Sequence, residues 1–184
     1  VIVYQQIQHA KDRPIGYSID RLMTTDMSDD LSNNYDALKN DLLQSGTVES
    51  VANASSPMTG VYMHTGIEKW PGQGAGELGI NVGGVSVSDN YFKTVGMKLI
   101  DGRDFSSNWS ADTSNIIINE AAVKRMGFKH PINQLITYDN VKGPARIIGV
   151  VKDALWQSPC TPVEPTVFNH GRGGSFIIYR MAAG

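Results

Sequence analysis

The chain of 184 residues has a single cysteine, Cys160. That scarcity excludes an intramolecular disulfide, a cysteine-built zinc site and a C-x-x-C redox pair within these residues. It suits the cytosol, and equally a secreted protein that avoids thiols. Charge of one sign is also lacking. The formal net charge is −2 and no run of lysine or arginine occurs, so the basic footprint that dominates nucleic-acid affinity is missing and no nucleic-acid partner is expected. Long hydrophobic runs are absent too. The stretch Ile147 to Val151, itself interrupted by Gly149, falls far short of the ~18 apolar residues of a membrane-spanning helix. A secretory signal is missing, and the chain opens on Val1-Ile2-Val3. These ends read as cut, and two readings stand side by side: the first three residues as the last turn of an apolar helix that precedes them, or as the start of a trimmed or mature chain.

What is present is an ordinary globular composition, 41% hydrophobic and 18% charged, without the apolar poverty of disorder. Residues 1 to 12, "VIVYQQIQHAKD", predict a polar stalk helix that Pro14 and Gly16 end. An extended stretch at Ile19 to Thr25 precedes one helix capped by Ser28 or Asp29. Its apolar positions are Leu31, Tyr35, Leu38 and Leu42, and Gly46 stops it. With "TVESVANAS" as a strand, Ile19 to Ser55 forms a strand–helix–strand unit. "VYMHTGIEKW" and "INVGGVSVS" predict a long hairpin, and "DNYFKTVG" a short helix that Gly96 closes. "NIII" is a buried-type strand. "NEAAVKRMG" is a helix capped by Asn119, with Glu120 at its positive end, Lys124 and Arg125 at its negative end, and Gly127 beyond. "ARIIGVVKDA" is the strongest strand signal. The proline-rich tail from Cys160 reads as a loop leading into a last strand at Phe176 to Tyr179.

The hairpin tip, "PGQGAGELG" from Pro71 to Gly79, spells G-x-G-x-x-G at Gly74, Gly76 and Gly79. A dinucleotide loop needs a strand before its first glycine and a helix opening at its last, because the helix amino end binds the pyrophosphate. Here a proline precedes and a β-like segment follows, so the tip is expected to be a mobile, solvent-exposed turn without a nucleotide. His9, His64, His130 and His170 stand isolated, without metal-ligand spacing. The pairs Asp29-Asp30 and Asp101/Asp104 suit a helix start and a turn. Cys160 lies between prolines with no helix amino end to activate it. Trp70, Trp109 and Trp156 fit packing better than interface anchoring. No catalytic, cofactor-binding or metal-binding residue is assigned, and no cofactor is expected.

Three blocks in order, "VSVSDNYFKTVGMKLIDGRDFS", "NIIINEAAVKRMG" and "ARIIGVVKDALWQS…PVEPTVF", preceded by "YQQIQHAKDRPIGYSIDRL", resemble the extracytoplasmic domain of MacB/FtsX-type ABC transporter permeases. The resemblance covers nearly the whole chain. It implies an α+β architecture of two lobes, a porter-like lobe of β-α-β units with a second mixed α/β lobe inserted. The expected boundaries are residues 1–16 for the stalk, about 17–61 plus 143–184 for the porter-like lobe, and about 62–142 for the insertion. It also implies a non-catalytic domain at the periplasmic face of the bacterial inner membrane. Such a domain couples ATP hydrolysis by a cytoplasmic ATP-binding subunit or domain to export or to control of a periplasmic partner protein. Its other implied partners are its own transmembrane helices and a second permease copy. The alternative from the residues alone is a free-standing soluble α/β enzyme or small-molecule binder.

Overall fold

The computed structural model describes residues 15–156, 161–171 and 174–183; the predicted stalk helix, His9 and Cys160 lie outside them. Its strands are β1 (Leu22–Asp26), β2 (Val48–Ala54), β3 (Met63–Lys69), β4 (Ile80–Val87), β5 (Leu99–Gly102), β6 (Asn115–Asn119), β7 (Leu135–Tyr138), β8 (Pro144–Val151), β9 (Thr166–His170) and β10 (Phe176–Met181). Its helices are α1 (Asp29–Asn33), α2 (Tyr35–Gln44), α3 (Tyr91–Val95) and α4 (Glu120–Met126), with a 3₁₀ turn at Trp109–Ala111. Mixed α/β structure is what the sequence led us to expect.

Two of the expected elements need correction. The single helix after Ser28 is two, because Asn34 leaves helical geometry at φ −116° and ψ 18°. Ser28 caps the first as expected, accepting from the Leu31 amide at 3.3 Å, and Gly46 follows the second at φ 70°. The tail holds a further strand, β9, in the stretch read as loop. It is almost fully buried and pairs with β4 on one side and β6 on the other.

At one flank, β10 lies between β1 and β2 and is antiparallel to both. The unit β1–α1–α2–β2 is therefore a split β-α-β, with the last strand filling its gap. Alternation sorts the side chains of this sheet. Val48, Val51 and Ile177 pack under Leu31, Tyr35, Leu38 and Leu42 of the helices. Ala52, Ala54 and Ile178 pack against Tyr91, Phe92 and Val95 of α3 on the opposite face.

β2 joins β4 through Ala54 opposite Val87, and from β4 the pairing runs β3, β7, β8, β6, β9 and back to β4. The ring is closed, which leaves its six members no open edge toward one another. β5 lies outside it, antiparallel to β8. In β6, Ile116 and Ile118 turn to a cluster with Ile67, Val82, Tyr138, Ile147 and Val167. Ile117 between them joins Phe92, Phe168 and Trp156 in the other. Burying side chains of this size stabilises by roughly 1.5–3 kcal/mol each.

The pairing of β5 with β8 demands close backbone approach at Gly102, where φ is +73° and a β-carbon would collide with the carbonyl oxygen of Ile148. Gly127 has a similar φ of +70° at the end of α4 but open space around it. We expect Gly127→Ala to lose only the left-handed backbone preference, about 1 kcal/mol. Gly102→Ala should lose about 3 kcal/mol, because the strand must also move. Equal losses in urea unfolding would contradict the packing account.

Candidate functional site

Arg180 on β10 is buried, with 8% of its surface exposed. Its register faces α3, and its guanidinium is a node. Nε donates to the Thr94 carbonyl at 2.9 Å, Nη2 to the Ser18 carbonyl at 3.0 Å, and Nη1 to the Asp20 carbonyl and, at 3.4 Å, to Ser18 Oγ. A planar fork with several fixed donors suits such a cluster of carbonyls, which one ammonium group cannot span. Thr94 lies in the last turn of α3, where helix carbonyls lack intrahelical partners and carry partial negative charge. A buried cation is tolerable only when its donors are used in this way.

Around Arg180 the leading segment, residues 15–22, is stitched to three neighbours. The Ser18 amide donates to Val95 at 3.0 Å, and the Leu155 amide to Ile15 at 2.8 Å. Arg21, at φ 52°, exchanges bonds with Met181 in both directions: the Met181 amide donates at 2.8 Å and Arg21 Nη1 returns a bond to the Met181 carbonyl at 2.9 Å. The Ala182 amide donates to Thr47. Gly96, at φ +71°, sits where a β-carbon would press on Ser18. The start and the finish of the described chain are thus clamped side by side. Sequence reading overlooked this site, since a lone arginine in an apolar strand, "FIIYRM", carries the only signal.

From the clamp, hydrogen bonds lead outward. Gly16 packs on the Asp153 carbonyl. Asp153 Oδ1 accepts from the Ala121 amide at 2.9 Å, and Glu120 Oε2 accepts from the Asp153 amide at 3.0 Å, so the opening of α4 is tied to residues 153–155. At the far end of α4, Arg125 meets Glu77 of the glycine loop at 3.2 Å.

The glycine loop is exposed, as expected, but internally bonded. Gln73 Nε2 donates to the Glu68 and Glu77 carbonyls at 3.2 and 3.0 Å, and Glu77 Oε2 accepts from the Gly74 amide at 3.1 Å. β4 follows immediately, so no helix amino end faces Gly79. The other candidates do not converge. Asp29 and Asp30 lie in the first turn of α1. Asp101 and Asp104 each accept a neighbouring amide. His64 pairs with Glu164 at 3.2 Å, His130 is exposed, and His170 stacks on Phe105 with ring centroids 5.0 Å apart. Trp70 and Trp156 are buried in the two clusters; the Trp109 side chain lies outside what the structure describes. Among the described residues no group of histidine, aspartate and glutamate is placed to hold a metal.

The carboxylate that organises its surroundings is instead Asp112. It accepts from Arg103 at 2.7 and 3.1 Å, from the Ser106 amide at 2.6 Å and from Asn115 Nδ2 at 2.7 Å. Burial pulls its pKa upward, but Arg103, the amide and Asn115 outweigh burial and hold it at about 2. Asp104 moves the other way, raised chiefly by burial.

The chain belongs to the MacB-like periplasmic core domain family, whose model matches residues 3–168. The solved periplasmic region of MacB from Actinobacillus actinomycetemcomitans is similar in fold, with a TM-score of 0.57 and 19% identity over 99% of this chain and 80% of that one. So is the extracellular domain of the noncanonic ABC-type transporter YknZ from Gram-positive bacteria, at 0.57 and 14% over 88% of this chain and 83% of that one. No curated protein matches. The family is a periplasmic domain of transporter permeases and not a catalytic family. No helix among the described residues is long and apolar enough to cross a membrane.

We expect Arg180→Met to destabilise by about 3 kcal/mol, since it strands three carbonyls, and to speed hydrogen exchange at the Ser18 amide more than at Ile117; a uniform change would deny the clamp. For Asp112 the folded pKa lies below the ordinary 3.8. Its contribution is therefore present above that value and lost as pH falls towards 2, whereas Asp104, raised by burial, contributes with the opposite sign. Asp112→Asn should flatten the fall in urea stability between these pH values; an unchanged slope would contradict it.

Proposed function

We propose that this is the non-catalytic periplasmic domain of a MacB/FtsX-like ABC transporter permease at the bacterial inner membrane. It couples ATP hydrolysis by a cytoplasmic subunit or domain to export or to control of a periplasmic partner. The observation that carries the reading is the Arg180 clamp. A domain held between two membrane helices is displaced through its two connections. Here the segments nearest those connections are bonded to each other, to α3 and to β2, so motion in either is passed into the sheet. Family membership and the permease neighbours support the transport setting.

Within this reading the porter-like lobe takes residues of about 17–61 plus 143–184 and the inserted lobe about 62–142; the insertion supplies β3, β4, β6 and β7 of the closed ring, and the porter-like lobe supplies β8 and β9. The partners are the permease's own membrane helices, the ATP-binding subunit, a second permease copy and a periplasmic protein.

The full gene tests it. One hydrophobic helix should precede residue 1 and about three should follow residue 184, each of about 20 residues. A gene encoding a free-standing chain would instead favour the soluble binder or enzyme and overturn the proposal.

A further inference from the structure

Between the α1–α2 corner and the ends of β2, β4 and β9 lies an open cleft of about 520 Å³. That is within the roughly 300–1,000 Å³ typical of small-ligand sites. Its lining is unusual for such a volume, because it is mostly polar. The floor is made by Asn53, Ser88 and His170, each more than nine-tenths buried. One wall is Lys39 bound to Asp89, with both carboxylate oxygens at 3.3 Å. Tyr35, its phenol pushed up to about 12 chiefly by burial, gives a half-buried ring. The rim carries Ser32, Asn33, Asp36 and Ser107.

A seam between packed elements is ordinarily filled by apolar side chains, since a buried polar group must be hydrogen-bonded to be tolerated. Here the backbone already uses much of what the floor offers: Ser88 Oγ accepts from the Asn53 amide and donates to the Asp89 carbonyl. The floor is held rigid while the rim groups face solvent. The chemistry of the wall selects the ligand. An anion would meet Asp36 and Asp89 against one lysine that Asp89 already neutralises. A peptide with large apolar side chains would find no deep apolar subsite, because no leucine, isoleucine, valine, methionine or phenylalanine lines the cleft. Hydroxyls and amides that both donate and accept, with carboxylates that accept, beside one aromatic ring, match a ligand rich in hydroxyl groups.

We propose that this cleft binds a neutral, hydroxyl-rich ligand, a short segment of glycan. The site is separate from the clamp and does not depend on the transport reading.

The test is a titration of the isotope-labelled chain with cellobiose and chitobiose, followed by amide NMR, with an alanine tripeptide and inorganic phosphate as comparisons. We expect saturable shifts from at least one disaccharide at Asn33, Ser88, Asp89 and Gly171. Affinity should weaken about fivefold, one hydrogen bond's worth, in Asn33→Ala and in Asp36→Asn. Lys142→Ala, at an exposed position away from the cleft, should leave it unchanged. No saturable shift with either sugar overturns the proposal. So does saturation at these residues by tripeptide or phosphate alone, or sugar binding that survives both cleft substitutions undiminished.

Discussion

The architecture depends on one buried cation. Arg180 lies in the strand that completes the split β-α-β sheet, and its donors reach the end of α3 and the leading segment together. Remove it and those carbonyls face one another without a donor. The leading segment and α3 would then be held to β10 mainly by apolar packing, which is strong but not directional, with the Ser18 to Val95 bond left between them. A guanidinium holding carbonyls fixes angle and register as well as distance.

Rigidity beyond the clamp comes from closure. Each member of the ring pairs on both sides, and β4 belongs to the ring while touching β2 of the flank. The two parts also share a core in which α3, Phe168 and Trp156 interlock. From residues 15–22 the contacts lead outward by two routes. One runs through β10 and β2 into β4. The other runs through residues 153–155 into α4 and, by Arg125, to Glu77 in the glycine loop. With Leu78 at 84% exposure, that loop presents an apolar side chain at the far end of the second route.

Much of this was legible in the sequence where the signal was local. Asn119 and Gly127 punctuate α4 as their side-chain chemistry requires, with the Asn119 side chain accepting from Ala122 and Gly127 at positive φ. The hairpin of β3 and β4 followed from two extended runs about a glycine turn, and the failure of G-x-G-x-x-G followed from its neighbours. The resemblance in ordered blocks reached the family. What escaped was non-local. β9 hid behind Pro162 and Pro165, and its Asn169 and His170 broke the apolar pattern, yet it is buried because β4 and β6 flank it. The break at Asn34 escaped because the apolar spacing continues across it. Arg180 gave no sign, because an arginine in a strand acquires meaning only from partners distant in sequence; Asp112 has its partners within nine residues, but in a polar loop without regular spacing nothing marks which of them it will meet.

The central claim is that the leading and trailing segments move as one body. It is tested most directly by pulsed electron-paramagnetic-resonance distances between labels at Ile19 and Ala183 in the full-length permease with its ATP-binding subunit, without nucleotide and trapped with ATP. The account predicts a single narrow distance, the same in both states, that broadens in Arg180→Met. A second, separate distance appearing on ATP binding in the unsubstituted protein would contradict it.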